Sequence, residues 1–141
     1  MTKTPPKMAK VLRITLGLAA WTVAIWANRI WNIINSSNQE SLFWPILFIS
    51  GALVLLLALY IWSENMITSQ VFAVLVSTFG FLSIGRWTWS LTTTWIETNS
   101  LGFRLIHTVL ALVTAVLSFR AAQLIWKISL GERKLEQLSE G

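Results

Sequence analysis

Three arginines and one histidine are the residues of this chain best suited to ligand chemistry. Arg29, Arg86, Arg104 and His107 lie within or at the ends of long hydrophobic stretches. Positions 104 and 107 are three residues apart, so their side chains share one face of a helix. Guanidinium groups bind phosphate and carboxylate through charge-assisted hydrogen bonds. The pattern indicates a pocket for a phospholipid or isoprenoid phosphate, or for an anionic small molecule. His107 would act there as a proton-sensitive switch or a hydrogen-bond partner.

The same arginines have a second interpretation, as anchors at the membrane interface. A long arginine side chain reaches the interface from inside a span at modest cost. Arg29 lies seven residues past the middle of its stretch, or ~10 Å at ~1.5 Å per residue. Arg86 is followed closely by two Trp residues, which are typical of interfacial belts. Local pairing with Glu40 or Glu97 would serve anchoring as well, and His107 would then be a packing residue.

Composition excludes most catalytic and metal chemistry. The chain has no Cys, no Asp and one His, and its six Glu lie outside the hydrophobic stretches. A zinc site lacks ligands, and haem ligation by two His is impossible. A Ser-His-acid triad would depend on Glu97, without any nucleophile motif, and no Gly-rich phosphate loop is present. Proton-coupled multidrug antiporters need a carboxylate inside a span. We predict no catalytic residue, cofactor or metal, and no enzymatic activity.

Four hydrophobic stretches must position the cations. Of the 141 residues, 55% are hydrophobic and 12% are charged, which is too much apolar surface for a soluble domain of this size. Each stretch has at least the ~20 residues that cross a hydrocarbon core of ~30 Å as a helix. Strand-like alternation is absent, and short connections force neighbouring helices to run antiparallel. The sequence predicts an all-α membrane protein, an up-down four-helix bundle with transmembrane helices at residues 11–34, 42–62, 67–92 and 101–128.

The tails and the cations predict the orientation. Residues 1–10 and 129–141 are polar tails, and Lys and Arg concentrate on the cytoplasmic side of membrane proteins. With both termini inside, eight of the eleven cations are cytoplasmic, although the turn that carries Glu64 has no cation. A cleaved signal peptide is the rival interpretation of the basic N-terminus, but no A-x-A site follows. We predict a multi-pass protein of a bacterial-type plasma membrane with both termini cytoplasmic.

The two halves of the chain share a faint pattern. Arg29 and Glu40 recur as Arg86 and Glu97 at the same separation, and the strings SL and ALV recur with one common offset. A two-residue insertion after the Glu reconciles the two offsets, as in a duplicated helical hairpin. Because Leu, Ala and Val are abundant in membrane spans, chance similarity explains the pattern equally well.

Two segments resemble parts of known proteins. The runs WTVAIWANRIWNI (Trp21–Ile33) and SLGFRLIHTVLALVTAVLSF (Ser100–Phe119) resemble the two helices of small, uncharacterised actinobacterial integral membrane proteins. Those proteins are shorter two-helix chains, and here a second hairpin lies between the two motifs. The resemblance implies a helical hairpin as the structural unit and implies no activity.

Stripes of small and polar residues predict how the helices pack. They lie on the first helix (Ala20, Ala24, Asn28, Asn32), the third (Ser69, Ala73, Ser77, Gly80, Ser83) and the fourth (Thr108, Ala111, Thr114, Ser118). Such residues let helices approach closely and form hydrogen bonds across the interface. The second helix lacks a stripe, and we expect it to be the most lipid-exposed.

These features favour a non-enzymatic function. We expect an accessory subunit or scaffold of a larger membrane assembly, because packing stripes are abundant and catalytic constellations are missing. The alternative is a protein that binds or transports an anionic lipid or small molecule at an extracytoplasmic pocket of Arg29, Arg86, Arg104 and His107. The lipid bilayer is the expected partner, with a homo-oligomer or a larger complex left open. No basic stripe with interleaved aromatic residues indicates nucleic acid.

Overall fold

Four helices contain almost all the residues that the structure describes. The computed structural model describes residues 6–36, 41–97 and 100–139 and has no strand within them. The helices are α1 (Pro6–Asn35), α2 (Phe43–Ser63), α3 (Ser69–Ile96) and α4 (Leu101–Ser139). Each is long and hydrophobic enough to cross a membrane. The prediction of an all-α protein with four candidate transmembrane helices is confirmed.

Three helices extend more than one residue beyond the predicted spans, α3 by four residues to Ile96. α1 begins at Pro6, where the fixed φ of proline suits a first helical turn. α4 continues past residue 128 to Ser139, because Glu, Arg, Lys and Leu all favour helix. Parts of both predicted tails are therefore helical. The 39 residues of α4 extend ~58 Å, about twice the thickness of a hydrocarbon core.

Neighbouring helices pack antiparallel in a ring. Ser69 of α3 contacts Glu132 of α4, and Ser77 contacts Trp126, so residue numbers rise along α3 as they fall along α4. The contact of α3 with α4 is the most extensive, and that of α2 with α3 is the least extensive of the four contacts between neighbours. α4 also packs against α1, which closes the ring.

The hydrophobic core lies toward one end of the bundle, which we call the core end. It contains the beginnings of α1 and α3 and the ends of α2 and α4. Its buried side chains include Val11, Leu18, Leu55, Leu59, Trp62, Phe72, Val76 and Ile125. The opposite end, which we call the arginine end, contains Arg29, Trp44, Arg86 and Arg104. Large aliphatic side chains hold the core end together, whereas aromatic rings dominate the packing at the arginine end.

Indole N–H groups bond to hydroxyls between elements of the bundle. The pairs are Trp21 with Thr114 (3.0 Å), Trp62 with Ser69 (3.0 Å), Trp126 with Ser77 (2.9 Å) and Trp95 with Thr108 (3.4 Å). In an apolar environment an indole that finds no acceptor is unfavourable. Each such bond between helices contributes about 0.6 kcal/mol on average in a membrane protein. The small polar stripes therefore serve as acceptors for Trp as well as allowing close packing.

The predicted stripes on α3 and α4 face neighbouring helices. Ser69, Ala73 and Ser83 are buried on α3, as are Ala111, Thr114 and Ser118 on α4. The two helices meet most closely at Gly80, where an added Cβ would lie 3.0 Å from the Cβ of Ser118. Glycine at this position permits the close approach that the stripe predicted.

The stripe predicted on α1 is wrong. Ala20, Ala24, Asn28 and Asn32 are exposed. α1 instead buries Val11, Thr15, Leu18, Ala19, Thr22 and Trp26. The buried face of α1 thus combines large and small side chains, and the four residues of the predicted stripe lie on other faces of the helix.

The prediction that α2 is the most exposed helix is also wrong. In the hydrophobic segment of α2 one-third of the residues are buried, whereas in that of α4 22% of the residues are buried. α2 packs through large side chains such as Phe48, Leu55 and Trp62. Large side chains that insert between facing residues hold a helix interface as well as small residues do, so the absence of a small-residue stripe did not indicate exposure.

Asn65 ends α2 in a left-handed conformation. Its φ is 58°, its N–H donates to the carbonyl of Trp62, and the N–H of Met66 donates to the carbonyl of Ile61, both at 3.0 Å. This is the Schellman arrangement, which usually needs Gly or Asn at that position. Thr68 then begins α3, because its hydroxyl accepts a backbone N–H of the first turn. Local sequence alone specifies this turn.

Replacing Asn65 tests the turn. Asn65→Val should lower the free energy of unfolding by ~1–2 kcal/mol, because a β-branched residue is strained at positive φ. Asn65→Gly should lower it by less than ~0.5 kcal/mol, since glycine adopts this conformation freely. Unfolding in detergent followed by circular dichroism measures both. Equal stability of the two variants would contradict the assigned turn.

Candidate functional site

Arg86 is held between two tryptophans at the arginine end. Its guanidinium carbon lies 5.3 Å from the ring centroid of Trp44 and 5.9 Å from that of Trp26. Both distances lie within the ~6 Å range of cation–π attraction. The Nε atom of Arg86 is buried and has no hydrogen-bond partner among the described residues. Cation–π packing therefore holds the guanidinium of Arg86 against rings of α1 and α2.

Arg86 lies at the level where α2 begins. The 21 residues of α2 extend ~32 Å, close to the ~30 Å of a hydrocarbon core. Trp44 is the second residue of α2, so a bilayer crossed by the whole of α2 would have one hydrocarbon boundary near Trp44. The guanidinium of Arg86 packs on Trp44 at this level.

Aromatic rings fix the two tryptophans in place. Trp26 stacks on Phe48 with centroids 5.0 Å apart and planes 4° from parallel, and Trp87 lies 6.3 Å from Trp26. Trp44 stacks on the same Phe48 at 6.3 Å. Aromatic pairs at such distances contribute ~0.5–1.5 kcal/mol beyond their burial. The rings of α1, α2 and α3 form a rigid support for the cation.

A cavity of about 310 Å³ lies beside Arg86, between α1, α3 and α4. Arg29, Arg86 and His107 all line it. Neutral polar side chains (Asn28, Asn32 and Ser90) and apolar ones (Ile25, Trp26, Trp87, Phe103, Ile106 and Leu110) complete the lining. A few convergent polar groups in a largely apolar cavity of this size are typical of a small-molecule site. Two of the lining residues, Arg29 and Arg86, are cationic.

His107 faces the cavity through one ring nitrogen. Its Nδ1 lies 3.0 Å from the carbonyl oxygen of Phe103. A carbonyl only accepts hydrogen bonds, so Nδ1 carries a proton and donates. The imidazole packs against Phe103 at a centroid distance of 4.1 Å and against Trp87 at 6.2 Å. This orientation leaves Nε2 as the nitrogen that can meet a bound group.

Arg104, the fourth predicted site residue, does not line this cavity. Its guanidinium lies over the ring of Trp95 at 5.4 Å and donates to the carbonyl of Glu97 at 3.1 Å. Arg104 therefore connects the start of α4 to the end of α3. The structure thus brings Arg29, Arg86 and His107 together and places Arg104 elsewhere. The predicted pairing of Arg29 with Glu40 lies outside the described residues, since Glu40 is not among them.

The sequence pattern does not indicate the residues that hold Arg86. Trp26 and Trp44 are two of nine tryptophans. Asn28 and Asn32 are part of the stripe predicted for packing. Their exposure on α1 places them instead at the edge of the cavity. The one available signal was the position of Asn28 directly before Arg29 within a hydrophobic stretch.

A larger cavity of about 830 Å³ lies at the core end. Ser69 donates to a carboxylate oxygen of Glu132 at 2.9 Å and accepts from the indole of Trp62 at 3.0 Å. Lys10 and Lys127 also line this cavity. The carboxylate offsets part of their charge, so this cavity suits an anion less well than the one at the arginine end. The sequence did not predict the pairing of Ser69 with Glu132, which lie 63 residues apart.

Comparison of the chain with models of protein families, with curated proteins and with solved structures finds no match. Function therefore has to be inferred from the residues and their geometry.

A cysteine placed in the cavity tests its positive potential. The chain has no Cys, so Ser90→Cys gives a single thiol in the lining. For each variant, the rate of modification by an anionic thiol reagent is divided by the rate with a cationic reagent. We expect this ratio to be about tenfold higher for Ser90→Cys than for Ser41→Cys, because two nearby cations attract the anion. Modification rates measured by mass spectrometry check this. Equal ratios at the two positions would show that the cavity has no net positive potential.

Proposed function

We propose that this membrane protein binds a phosphate-bearing anion in the cavity at the arginine end. The observation that carries the proposal is the convergence of Arg29, Arg86 and His107 on one cavity. Two guanidinium groups at one cavity repel each other in a medium of low dielectric constant. A bound phosphate offsets this repulsion and accepts several charge-assisted hydrogen bonds. Phosphate could belong to a lipid headgroup or to a soluble molecule.

The packing of Arg86 supports a binding role. Its guanidinium packs on both Trp26 and Trp44, which hold it beside the cavity. Binding of this kind requires no catalysis, so we propose a non-enzymatic role. The accessory or scaffold role stays a prediction, and it is compatible with anion binding.

We further propose that both termini are cytoplasmic in a bacterial-type plasma membrane, with the arginine end outside. The four helices would then form an up-down transmembrane bundle of two tandem hairpins. The excess of cations at the core end supports this orientation.

Single cysteines at the two ends test this orientation. In intact cells, a membrane-impermeant maleimide should label Ser41→Cys, and it should label Glu64→Cys only after permeabilisation. Mass shifts of the purified protein measure the labelling. The reverse pattern would contradict the orientation without affecting the binding proposal.

Removal of one cation tests the binding site. We expect Arg86→Gln to weaken binding of phosphate-bearing probes at least about tenfold, because a hydrogen bond to a charged group contributes ~1.5–3 kcal/mol. Suitable probes are glycerol 3-phosphate and dihexanoyl phosphatidic acid, titrated calorimetrically against the purified protein. Their comparison separates a soluble phosphate from a lipid headgroup.

Arg120→Gln is the matched control. It removes the same charge from an exposed position on α4 and should change neither affinity by more than about twofold. If Arg86→Gln and Arg120→Gln weakened binding equally, binding would depend on overall charge and the proposed site would be wrong.

A further inference from the structure

An apolar groove runs along the outside of the bundle between α2 and α3. Its volume is about 590 Å³, and it is lined by Leu47, Phe48 and Gly51 of α2 and by Phe79, Leu82 and Gly85 of α3. These two helices have the least extensive contact between neighbours in the bundle. The groove opens to the lipid-facing surface, since the side chain of Leu82 is 57% exposed.

Arg86 lines both this groove and the cavity inside the bundle. Its guanidinium lies between α1 and α2, over Trp26 and Trp44, and Trp44 is also part of the groove lining. Arg86 therefore lies beside both the apolar groove on the surface and the cavity that Arg29 and His107 line. A molecule that uses both needs a charged head and an apolar chain.

We infer that the bound anion is a lipid whose phosphate lies at Arg86 and whose hydrocarbon chain lies in the groove between α2 and α3. This inference rests on the proposed function and adds the substrate class. Near the hydrocarbon boundary, where Trp44 places Arg86, lipid phosphates are abundant and their chains extend inward. From Arg86 to Phe79 the groove follows α3 for ~10 Å, in the direction from this boundary toward the middle of the layer.

Two glycines keep the groove open. A Cβ added at Gly85 would meet nothing within 4 Å, so the space beside it is available to a chain. At Gly51 an added Cβ would lie 2.9 Å from the ring of Phe79. The absence of a side chain at Gly51 thus lets the Phe79 ring lie against α2 and form the wall of the groove. A larger residue at Gly85 would fill the groove without displacing other atoms.

Gly85→Leu therefore tests the inference. The full-length protein is reconstituted in phosphatidylcholine nanodiscs, and the probe is phosphatidic acid with a diazirine in one acyl chain. We expect photolabelling of the wild type to concentrate on the groove segments of α2 and α3. Gly85→Leu should weaken binding of this lipid at least about fivefold, as overpacking of an occupied site does. Its affinity for glycerol 3-phosphate should stay within about twofold, since that probe has no chain.

Two further variants complete the design. Gly17→Leu makes the same substitution on α1, where an added Cβ also meets nothing within 4 Å, and it should change neither affinity. Leu82→Trp enlarges an exposed side chain of the groove and should act as Gly85→Leu does. Because Leu82 is exposed, this second variant tests the groove even if Gly85→Leu fails to fold.

The outcomes separate the inference from the proposed function. Arg86→Gln could weaken binding of both phosphatidic acid and glycerol 3-phosphate while Gly85→Leu and Leu82→Trp weaken binding of neither. In that case the phosphate site stands, and the lipid chain does not lie in the groove. If the folded groove variants weaken binding of both probes equally, or if the photolabels spread evenly around the bundle, the inference is wrong. If Arg86→Gln weakens neither probe, the proposed function falls and the inference with it.

Discussion

A polypeptide in hydrocarbon must satisfy its own backbone hydrogen bonds, and the rest of this structure depends on that constraint. Four long helices meet it within the described residues, since each N–H in a helix interior finds a carbonyl one turn back. Some hydroxyls use the same carbonyls. Thr22, Thr88 and Thr114 each donate to the carbonyl four residues earlier. With the backbone satisfied within each helix, side chains alone decide how the helices pack.

The two ends of the bundle use different side chains for packing. At the core end, aliphatic residues and Phe72 form most of the buried core, and Trp62 donates to the hydroxyl of Ser69. At the arginine end, stacked aromatic rings pack around a charge. The face of an indole attracts a cation while its edge packs against apolar neighbours, so Trp26 and Trp44 hold Arg86 by the faces of their rings.

Much of the fold could be predicted from the sequence, because the signals involved are local. Hydrophobic length specified the four helices, and Asn65 followed by Thr68 specified the turn between α2 and α3. Packing faces were predicted correctly on α3 and α4, where small residues such as Gly80 and Ser118 meet. On α1 they were not. There the residues of the predicted stripe are exposed, and a different face, which includes Leu18, Ala19 and Trp26, packs in the core.

The sequence by itself determined four helices that are long and hydrophobic enough to span a membrane, with a few cations among them. Only the tertiary structure decided which cations meet. The rotation of each helix about its axis turns Arg29, Arg86 and His107 toward one cavity and Arg104 toward Trp95 and Glu97. That rotation is set by contacts between residues far apart in the chain, such as Trp26 with Phe48 and Trp21 with Thr114. Such contacts depend on the whole bundle, so no local pattern encodes them.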